Sequence, residues 1–259
     1  MSFPEEPPGQ EYTDSHAHPG MCGDPDTVIR QALDNSVRII LSVGSDLKSS
    51  DKAVDLACRF DQVYASVGVH PHDASYVSEE TVSSLATLAE NAKTRAIGET
   101  GIDLYRNRAP VRDQVLSFRK HIELARESGL ALIVHARNAT AETLEILEKH
   151  AEGLKVILHC FSMYDRVEEC ADRQYFMSVA GNITFRNAHL LREAAIRIPD
   201  NLLLTETDSP YLTPVPFRGK ANRPENVRYV LEELALLRGV NITQMASVVL
   251  KNLYRALGI

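Results

Sequence analysis

The chain has 259 residues, 44% of them hydrophobic and 24% charged, and a formal net charge of −7 at pH 7. This charge argues against a protein that coats nucleic acid along a basic stripe, because Lys and Arg contacts to phosphate supply most of that affinity. No apolar run approaches the roughly 18 residues of a membrane span, and the first residues do not resemble a signal peptide. We therefore expect a cytoplasmic protein with no membrane partner.

Short apolar runs alternate with longer helical patterns from residue 12 almost to the C-terminus. This alternation is typical of repeated βα units around a parallel sheet, and runs rich in Val, Ile and Leu suit strands buried on both faces. The predicted strands span residues 12–15, 37–43, 63–69, 94–98, 131–134, 155–158, 175–179 and 202–205. Amphipathic spacing predicts helices over residues 113–128, 140–149 and 243–257, the first of them stopped by Gly129.

The chain length and the number of units together predict the fold class. Barrels of alternating strands and helices with about 250 residues usually form one domain. We therefore predict an α/β protein: a single (β/α)8 TIM-type barrel over residues 12–259, preceded by a loose N-terminal leader over residues 1–11. The C-terminal ends of all strands in such a barrel share one face, where active sites lie.

Histidine and acidic residues stand at the ends of five predicted strands. They are His16 and His18 after the first strand, Glu99 after the fourth, His135 after the fifth, His159 after the sixth and Asp208 after the eighth. The strand period of two places Asp14 on the same side as the first histidine pair, so that both imidazoles can face one ion and the carboxylate can steady one of them. All six predicted ligands converge on one mouth of the barrel.

This ligand set indicates a metal site rather than several independent structural roles. Glu99 lies between two histidine pairs in strand order, which favours two divalent ions bridged by that carboxylate. Such a pair of ions activates water and neutralises the attacking and leaving oxygens of a hydrolysis. Imidazole ligands favour Zn, Fe, Mn or Ni over Mg, which prefers oxygen ligands.

An ordered series of motifs resembles the TatD family of metal-dependent deoxyribonucleases, in the amidohydrolase superfamily. The motifs are Asp14-Ser15-His16-Ala17-His18, Gly68-Val69-His70-Pro71, Gly98-Glu99-Thr100-Gly101-Ile102-Asp103, Val134-His135-Ala136-Arg137, His159-Cys160-Phe161-Ser162 and Glu206-Thr207-Asp208-Ser209-Pro210-Tyr211-Leu212. The resemblance implies a TIM-type barrel and a divalent-metal hydrolase with 3′-to-5′ exonuclease activity on DNA, sometimes on RNA. A nucleic-acid end is then the expected substrate, and no obligate protein partner is evident.

The resemblance also implies roles for individual residues. His16 and His18 bind one metal, Glu99 bridges, and the histidines of strands five and six bind the second. Asp208 binds metal or acts on the attacking water. The implied cofactor is one or two divalent ions per chain, with Mg or Mn as the family habit.

Two further residues are predicted to take part in catalysis. By resemblance, His70 contacts the substrate phosphate or transfers a proton, and the alternative is a structural histidine before Pro71. Strand parity points Glu206 toward the same interior as Asp208. It orients a ligand or the water, or pairs with a cation of the barrel core.

Basic residues crowd the loops that follow the strand ends. We predict that Arg137, Arg218, Lys220 and Arg223 bind substrate phosphate, because guanidinium forks suit phosphate oxygens and this fold often binds phosphate after strands seven and eight. Arg106 and Arg108 fit an ordinary solvated loop equally well.

Two departures from the family pattern leave the substrate open. Asn138 and Met163 replace the usual Asp and Gly, and both are expected to flank the mouth. The same ligands serve carbonyl chemistry, so a metal-dependent deacylase or amidohydrolase such as a D-aminoacyl-tRNA deacylase is an alternative. A third possibility is a binding module with a relict site. All six ligands are retained and no aromatic stacking platform is visible in the sequence, and both observations count against it.

Overall fold

The computed structural model describes residues 10–259. Eight parallel strands form one sheet in sequential order. The strands are β1 (Tyr12–Ala17), β2 (Val37–Val43), β3 (Val63–Val67), β4 (Thr94–Asp103), β5 (Ala131–Arg137), β6 (Val156–Leu158), β7 (Phe176–Val179) and β8 (Leu203–Thr205). The last strand returns to the first, where the Thr205 hydroxyl donates to the Thr13 carbonyl and Ala17 pairs with Ser209. The predicted (β/α)8 barrel is confirmed.

Helices separate the strands and pack outside them, as parallel crossovers require. They are α1 (Pro25–Asp34), α2 (Leu47–Arg59), α3 (Glu79–Ala89), α4 (Val111–Ser128), α5 (Thr140–His150), α6 (Val167–Asp172), α7 (His189–Arg197), α8 (Val227–Arg238) and α9 (Ile242–Leu257). Gly129 ends α4 in the left-handed conformation (φ 68°), as its position predicted. No helix among residues 10–259 is long and apolar enough to cross a membrane.

The apolar strand residues fill the barrel and the layer beneath the helices. Ile40, Leu41, Ile97, Leu132 and Ile133 are among the largest side chains that are fully buried. Because these strands are covered on both faces, their consecutive residues are buried without alternation, and this explains their continuous apolar runs.

Three strands, β1, β4 and β5, extend further than predicted, and the register shifts in the β1–β2 and β4–β5 pairings. β4 continues to Asp103, so Glu99 lies inside the strand rather than after it. The β4–β5 register shifts between Ile97 and Thr100, where β4 has one more residue than β5. The β1–β2 register also shifts, between Asp14 and Ala17. Bulges re-aim side chains near active sites, and alternation along a regular strand does not reveal them.

The C-terminal helix α9 lies at the N-terminal end of the barrel, away from the mouth. Asn252 donates to the carbonyls of Asp200 and Leu203, at the start of β8. Gln10 is buried and bonds to Ile242 and Thr243 at the start of α9. The packed part of the chain thus begins before residue 12. Residues 1–9 of the predicted leader lie outside the described residues.

Candidate metal centre

The first histidine pair lies at the end of β1. His16 and His18 converge so that their Nε2 atoms are 3.3 Å apart. His18 Nδ1 donates to the Val43 carbonyl at 2.9 Å. This bond fixes the tautomer of His18 and leaves its Nε2 lone pair facing the centre. Both rings are buried, and His16 stacks on His159 with ring centroids 4.0 Å apart.

The Asp14 carboxylate bonds to the backbone and to Thr207 instead of steadying an imidazole. Its Oδ1 accepts from the N–H groups of His16 and Thr207, and its Oδ2 accepts from the Thr207 hydroxyl at 2.5 Å. The prediction that Asp14 orients a histidine ring is therefore wrong. The carboxylate joins β1 to the segment after β8 that carries Asp208.

The bulge in β4 turns Glu99 into the barrel. Its N–H donates to the Gly44 carbonyl after β2, and the preceding Gly98 adopts a φ of +130° that favours glycine. A Cβ on Gly98 would lie 2.5 Å from the Ile133 carbonyl oxygen. The chain can therefore pass close to β5 only with glycine at this position. The Glu99 carboxylate is buried at the centre of the mouth.

The two oxygens of Glu99 face different histidine pairs. Oε2 lies 3.4 Å from His16 Nε2 and 3.7 Å from His18 Nε2. Oε1 lies 3.0 Å from His135 Nδ1 and 3.1 Å from His159 Nε2. One carboxylate thus joins two groups of ligand atoms, as a bridging ligand does.

The second histidine pair comes from β5 and from the residue directly after β6. His135 Nδ1 and His159 Nε2 are 3.2 Å apart. The opposite nitrogen of each ring faces a buried carboxylate: His135 Nε2 lies 3.4 Å from Asp103 Oδ2, and His159 Nδ1 lies 3.3 Å from Glu206 Oε1. Carboxylates behind metal-binding imidazoles orient the rings and raise their basicity.

The spacing of these atoms fits divalent metal ions. Two nitrogens bound tetrahedrally at about 2.0–2.1 Å to one ion are separated by about 3.3 Å. The two histidine pairs have separations of 3.3 and 3.2 Å. Each pair has one oxygen of Glu99 beside it. These His, Glu and Asp groups can hold metal, and their chemistry does not by itself select the ion.

Asp208 follows β8 and completes the first group. It adopts a positive φ of 52°, and its N–H donates to the His16 carbonyl. Its Oδ1 lies 3.9 Å from His16 Nε2 and 3.8 Å from His18 Nε2. Burial, opposed in part by His159, raises the pKa of Asp208 to about 8, and the Glu206 and Glu99 carboxylates act in the same direction. The structure thus brings all six predicted ligands together.

Glu206 lies behind His159 and is fully buried, away from the mouth. Its Oε1 accepts from the Cys160 N–H at 2.8 Å as well as facing His159 Nδ1. A carboxylate in this place orients a histidine and does not reach substrate. Among the roles predicted for Glu206, the geometry favours orienting a ligand over pairing with a cation of the barrel core, and it does not favour direct participation in catalysis.

His70 faces Glu99 with the nitrogen that carries a proton. His70 Nδ1 accepts from the His72 N–H at 3.1 Å, so the proton of the neutral ring resides on Nε2. That Nε2 lies 3.4 Å from Glu99 Oε1. Burial lowers the pKa of His70 to about 3, which keeps the ring neutral. The geometry thus suits a hydrogen-bond donor at the mouth better than a metal ligand.

Asp103 is a buried acidic residue that the sequence reasoning missed. Its Oδ2 accepts from His72 Nε2 at 2.9 Å in addition to facing His135, and its Oδ1 accepts from the Arg106 N–H at 2.7 Å. Gln114 of α4 fixes the Asp103 backbone from the other side. Strand parity could have found it, because Asp103 lies four residues past Glu99, but only if β4 had been extended that far.

The predicted phosphate-binding residues are spread around the mouth. The Arg137 guanidinium lies 4.2 Å from the centre of the Tyr105 ring, and Arg218 lies 4.2 Å from that of Phe185. Lys220 is exposed in the same loop as Arg218. The fourth residue, Arg223, bonds to Gln31 and lies 3.9 Å from Glu225. Its guanidinium is thus committed to neighbouring side chains more than the other three cations are.

The two departures from the family pattern lie in different surroundings. Asn138 is exposed and has a positive φ of 52°, a conformation that asparagine tolerates better than most residues. Met163 is only 1% exposed and belongs to the hydrophobic core. Both residues lie in loops that follow strands at the mouth, Asn138 after β5 and Met163 after β6, but the Met163 side chain is buried in the core whereas Asn138 is exposed.

Aromatic rings lie at the mouth although the sequence showed no stacking platform. Tyr105, after β4, is 59% exposed, and Tyr211, after β8, is 51% exposed. The Tyr211 ring meets His18 edge to face, with centroids 6.4 Å apart. These two exposed rings come from loops that are far apart in the sequence, and the loops share one face only because the barrel closes.

Comparison with known proteins agrees with this geometry. A family model described as TatD related DNase matches residues 13–258. The uncharacterized metal-dependent hydrolase YabD of Bacillus subtilis is 38% identical over 247 residues, covering 93% of this chain and 97% of YabD. The 3′-5′ ssDNA/RNA exonuclease TatD of Citrobacter koseri is 33% identical over 244 residues, covering 91% of this chain and 94% of the relative.

A solved structure extends the similarity to three dimensions. The crystal structure of YjjV, a TatD homolog from Escherichia coli K12, superimposes with a TM-score of 0.89 at 27% identity, covering 96% of this chain and 98% of that one. The family match spans nearly the whole chain, and the barrel brings histidine and acidic groups that could hold metal together at its mouth. The chain therefore belongs to the TatD-related DNase family and is a metal-dependent hydrolase.

Proposed function

We propose that this hydrolase is a phosphodiesterase that removes nucleotides from the 3′ end of nucleic acid, as a 3′-5′ exodeoxyribonuclease. The observation that carries the proposal is the placement of Glu99, whose two carboxylate oxygens face separate histidine pairs. A bridged pair of divalent ions suits in-line displacement at phosphorus. The Citrobacter koseri relative, which is named a 3′-5′ ssDNA/RNA exonuclease, supports the same chemistry.

The proposed cofactor is one or two divalent ions, held by His16, His18 and Asp208 on one side and by His135 and His159 on the other, with Glu99 between them. When bound by these residues, divalent ions would supply an activated water and would neutralise the charge that develops on the phosphoryl oxygens. The four imidazoles favour Mn, Zn, Fe or Ni, whereas the family resemblance implies Mg or Mn.

Asp208 is the proposed proton acceptor. Its carboxylate is the member of the ligand set that comes from a loop rather than from a strand or its immediate end, and its side chain is 14% exposed toward the mouth. Oδ1 lies nearly 4 Å from both imidazoles of the first pair. At this distance neither ring is hydrogen-bonded to Oδ1. The ionised carboxylate can therefore take the proton of the attacking water, and its raised pKa makes it a stronger base than an ordinary aspartate.

His70 and the cations of the mouth are proposed to bind the phosphate. The Nε2–H of His70 can donate to a phosphoryl oxygen close to Glu99, since its Nδ1 is already occupied by the His72 N–H. Arg137, Arg218 and Lys220 concentrate positive charge on one face of an acidic protein, which attracts an anionic strand end. Arg223 contributes less because Gln31 and Glu225 engage it.

The test compares two chemistries on one protein. Metal-free protein is reloaded separately with Mg, Mn or Zn and assayed on end-labelled single-stranded DNA and RNA and on a D-aminoacyl-tRNA. We expect stepwise loss of nucleotides from the labelled strands. Glu99→Gln, purified identically, is the control for contaminating nuclease and should release none.

Two results would overturn the proposal. Hydrolysis of the aminoacyl ester without nucleotide release would assign the site to carbonyl chemistry. Product from neither substrate with any of the three ions would favour a binding module.

A further inference from the structure

We infer that Tyr105 and Tyr211 form a two-sided subsite that stacks the nucleobases on either side of the scissile phosphate. This inference rests on the proposed function and makes it more specific, since it names the residues that hold the bases of a single-stranded end. Stacking needs free faces of the bases, which a duplex does not offer. The inference is carried by the exposure, the placement and the anchoring of the two rings.

The two tyrosines stand on opposite sides of the metal centre. Tyr211 follows β8, which adjoins β1, whereas Tyr105 follows β4, which pairs with β5. In a closed barrel of eight strands these positions are half a circuit apart. Glu99 comes from β4 and Asp208 from the loop after β8, so the strand order leads us to expect that a phosphate held at the centre has one ring on either side.

Tyr211 is an exposed ring on a rigid support. Its N–H donates to the Asp208 carbonyl at 2.8 Å, and its carbonyl accepts from Asn222 Nδ2 at 2.8 Å. Asn222 is fully buried and also bonds to the Thr207 carbonyl. A half-exposed tyrosine contributes little to the stability of the fold through burial of its ring. The Tyr211 ring is nevertheless held beside the ring of His18. A fixed aromatic face at a mouth loses little entropy when a base stacks on it.

Tyr105 is supported by β5. The N–H of the preceding Leu104 donates to the Arg137 carbonyl at 3.0 Å, and the Arg137 guanidinium covers part of the Tyr105 ring. The side chain is still 59% exposed, so ring surface remains open to solvent. An aromatic ring paired with a guanidinium fits one nucleotide well, because the ring stacks on its base while the cation meets its phosphate.

The experiment combines tyrosine substitutions with abasic substrates. Tyr211→Ala and Tyr105→Ala are assayed on a single-stranded decamer, on decamers abasic at the last or the next-to-last 3′ position, and on the blunt duplex. Each substitution should raise KM on the intact strand by about 10-fold, the loss typical of one stacked base. Tyr211→Phe keeps the ring and should restore the wild-type KM. Tyr254→Ala is the matched control, since Tyr254 is 43% exposed on α9 at the other end of the barrel.

The abasic positions decide the result. The penalty of a variant is its KM divided by the wild-type KM on the same strand. For each alanine variant the inference requires a penalty below twofold on one of the two abasic decamers, and this decamer must differ between the two tyrosines. Wild-type protein must also prefer the single strand to the duplex. Equal penalties on intact and abasic strands, or penalties as large in Tyr254→Ala, would overturn it.

Failure of the proposed function gives a separate signature. If wild-type protein cleaves no strand, binding of a fluorescent decamer with a 3′-terminal phosphorothioate linkage is measured by anisotropy with the same variants. Binding that weakens about 10-fold both on removal of a ring and on removal of the matching base supports the subsite without nuclease activity. Binding that ignores both changes overturns the subsite.

Discussion

The substitution Asp103→Asn tests whether a buried carboxylate sets the metal affinity of one half of the centre. Asp103 Oδ2 faces the Nε2 atoms of His72 and His135, and Oδ1 accepts the Arg106 N–H. Burial raises the pKa of Asp103, but hydrogen bonds from His135, the Arg106 backbone and His72 outweigh it, so the pKa lies below its ordinary value. The group is therefore an anion that accepts a hydrogen bond from the His72 ring and faces Nε2 of the His135 ring.

Asparagine cannot satisfy these partners. If its oxygen keeps the Arg106 N–H, its NH₂ group confronts two imidazole N–H groups. His135 then moves its proton to Nδ1, the atom that faces Glu99 and His159, or turns its ring. Loss of a carboxylate behind a metal-binding histidine costs about 10- to 100-fold in metal affinity, or about 1.4 to 2.7 kcal/mol.

The assay is calorimetric titration of metal-free protein with Zn and Mn, with metal content checked by mass spectrometry. We expect two metal-binding sites of distinct affinity in the wild type. In Asp103→Asn the affinity of one site should fall about 10- to 100-fold. The affinity of the other site should stay nearly unchanged, because His16 and His18 do not contact Asp103. Asp165→Asn is the control, since Asp165 is exposed in the loop after β6. Wild-type affinity for both ions, or equal weakening of both with an unchanged circular dichroism spectrum, would refute the reasoning.

Three further predictions concern Asp208, His121 and the cations of the mouth. Asp208→Asn should lower kcat by at least about 100-fold, as loss of a proton acceptor does, while metal content stays near the wild-type value. His121 is buried, and burial lowers its pKa to about 4. The pKa of His121 is thus lower in the folded protein than its unfolded value of about 6.5. The neutral ring therefore contributes its full stabilisation above about pH 6.5, and this stabilisation is lost as the pH falls toward 4. Between pH 7 and pH 5 the free energy of unfolding should fall by about 2 kcal/mol. His121→Gln should remove this part of the pH dependence in urea titrations. Replacing Arg218 and Arg223 together by alanine should reduce oligonucleotide hydrolysis far more than cleavage of a small neutral ester. The slope of log KM against log salt concentration should also fall by about one to two, because up to two phosphate contacts are lost.

Each of these has a contrary outcome. Near-normal turnover in Asp208→Asn would remove Asp208 from proton transfer. An unfolding free energy that falls equally with pH in wild type and His121→Gln would show that other groups carry the acid sensitivity. Equal losses on both substrates in the double arginine variant would mean that those side chains do not bind phosphate.

His121 also shows how the outer helices position the mouth. Its Nε2 accepts from the Val69 N–H at 3.0 Å, next to His70, and its Nδ1 donates to the Ser117 carbonyl. Gln114, on the same helix, fixes Asp103. Helix α4 therefore holds the loop after β3 and the end of β4 by buried polar bonds. His121 and Gln114 are polar residues on the packed face of an amphipathic helix, where periodicity alone predicts only apolar packing.

Sequence patterns determined the barrel and predicted its candidate ligands, because both depend on local order. Apolar runs with intervening helical periodicity identify βα units, and parallel connection then places every strand end on one face. The shared face therefore brings together His16, Glu99 and His135, which are far apart in the chain. The motifs added the hydrolase family, which the matches over residues 13–258 confirm.

Only the tertiary structure decided how those ligands are divided and supported. The bulges at His16 and Glu99 depend on pairing with neighbouring strands, so no strand period reveals them. The direction of each Glu99 oxygen, the carboxylate of Asp103 behind His135 and the reassignment of Asp14 to the backbone all follow from contacts between elements. The same holds for the rings of the mouth, because residues on loops after different strands become neighbours only when the barrel closes.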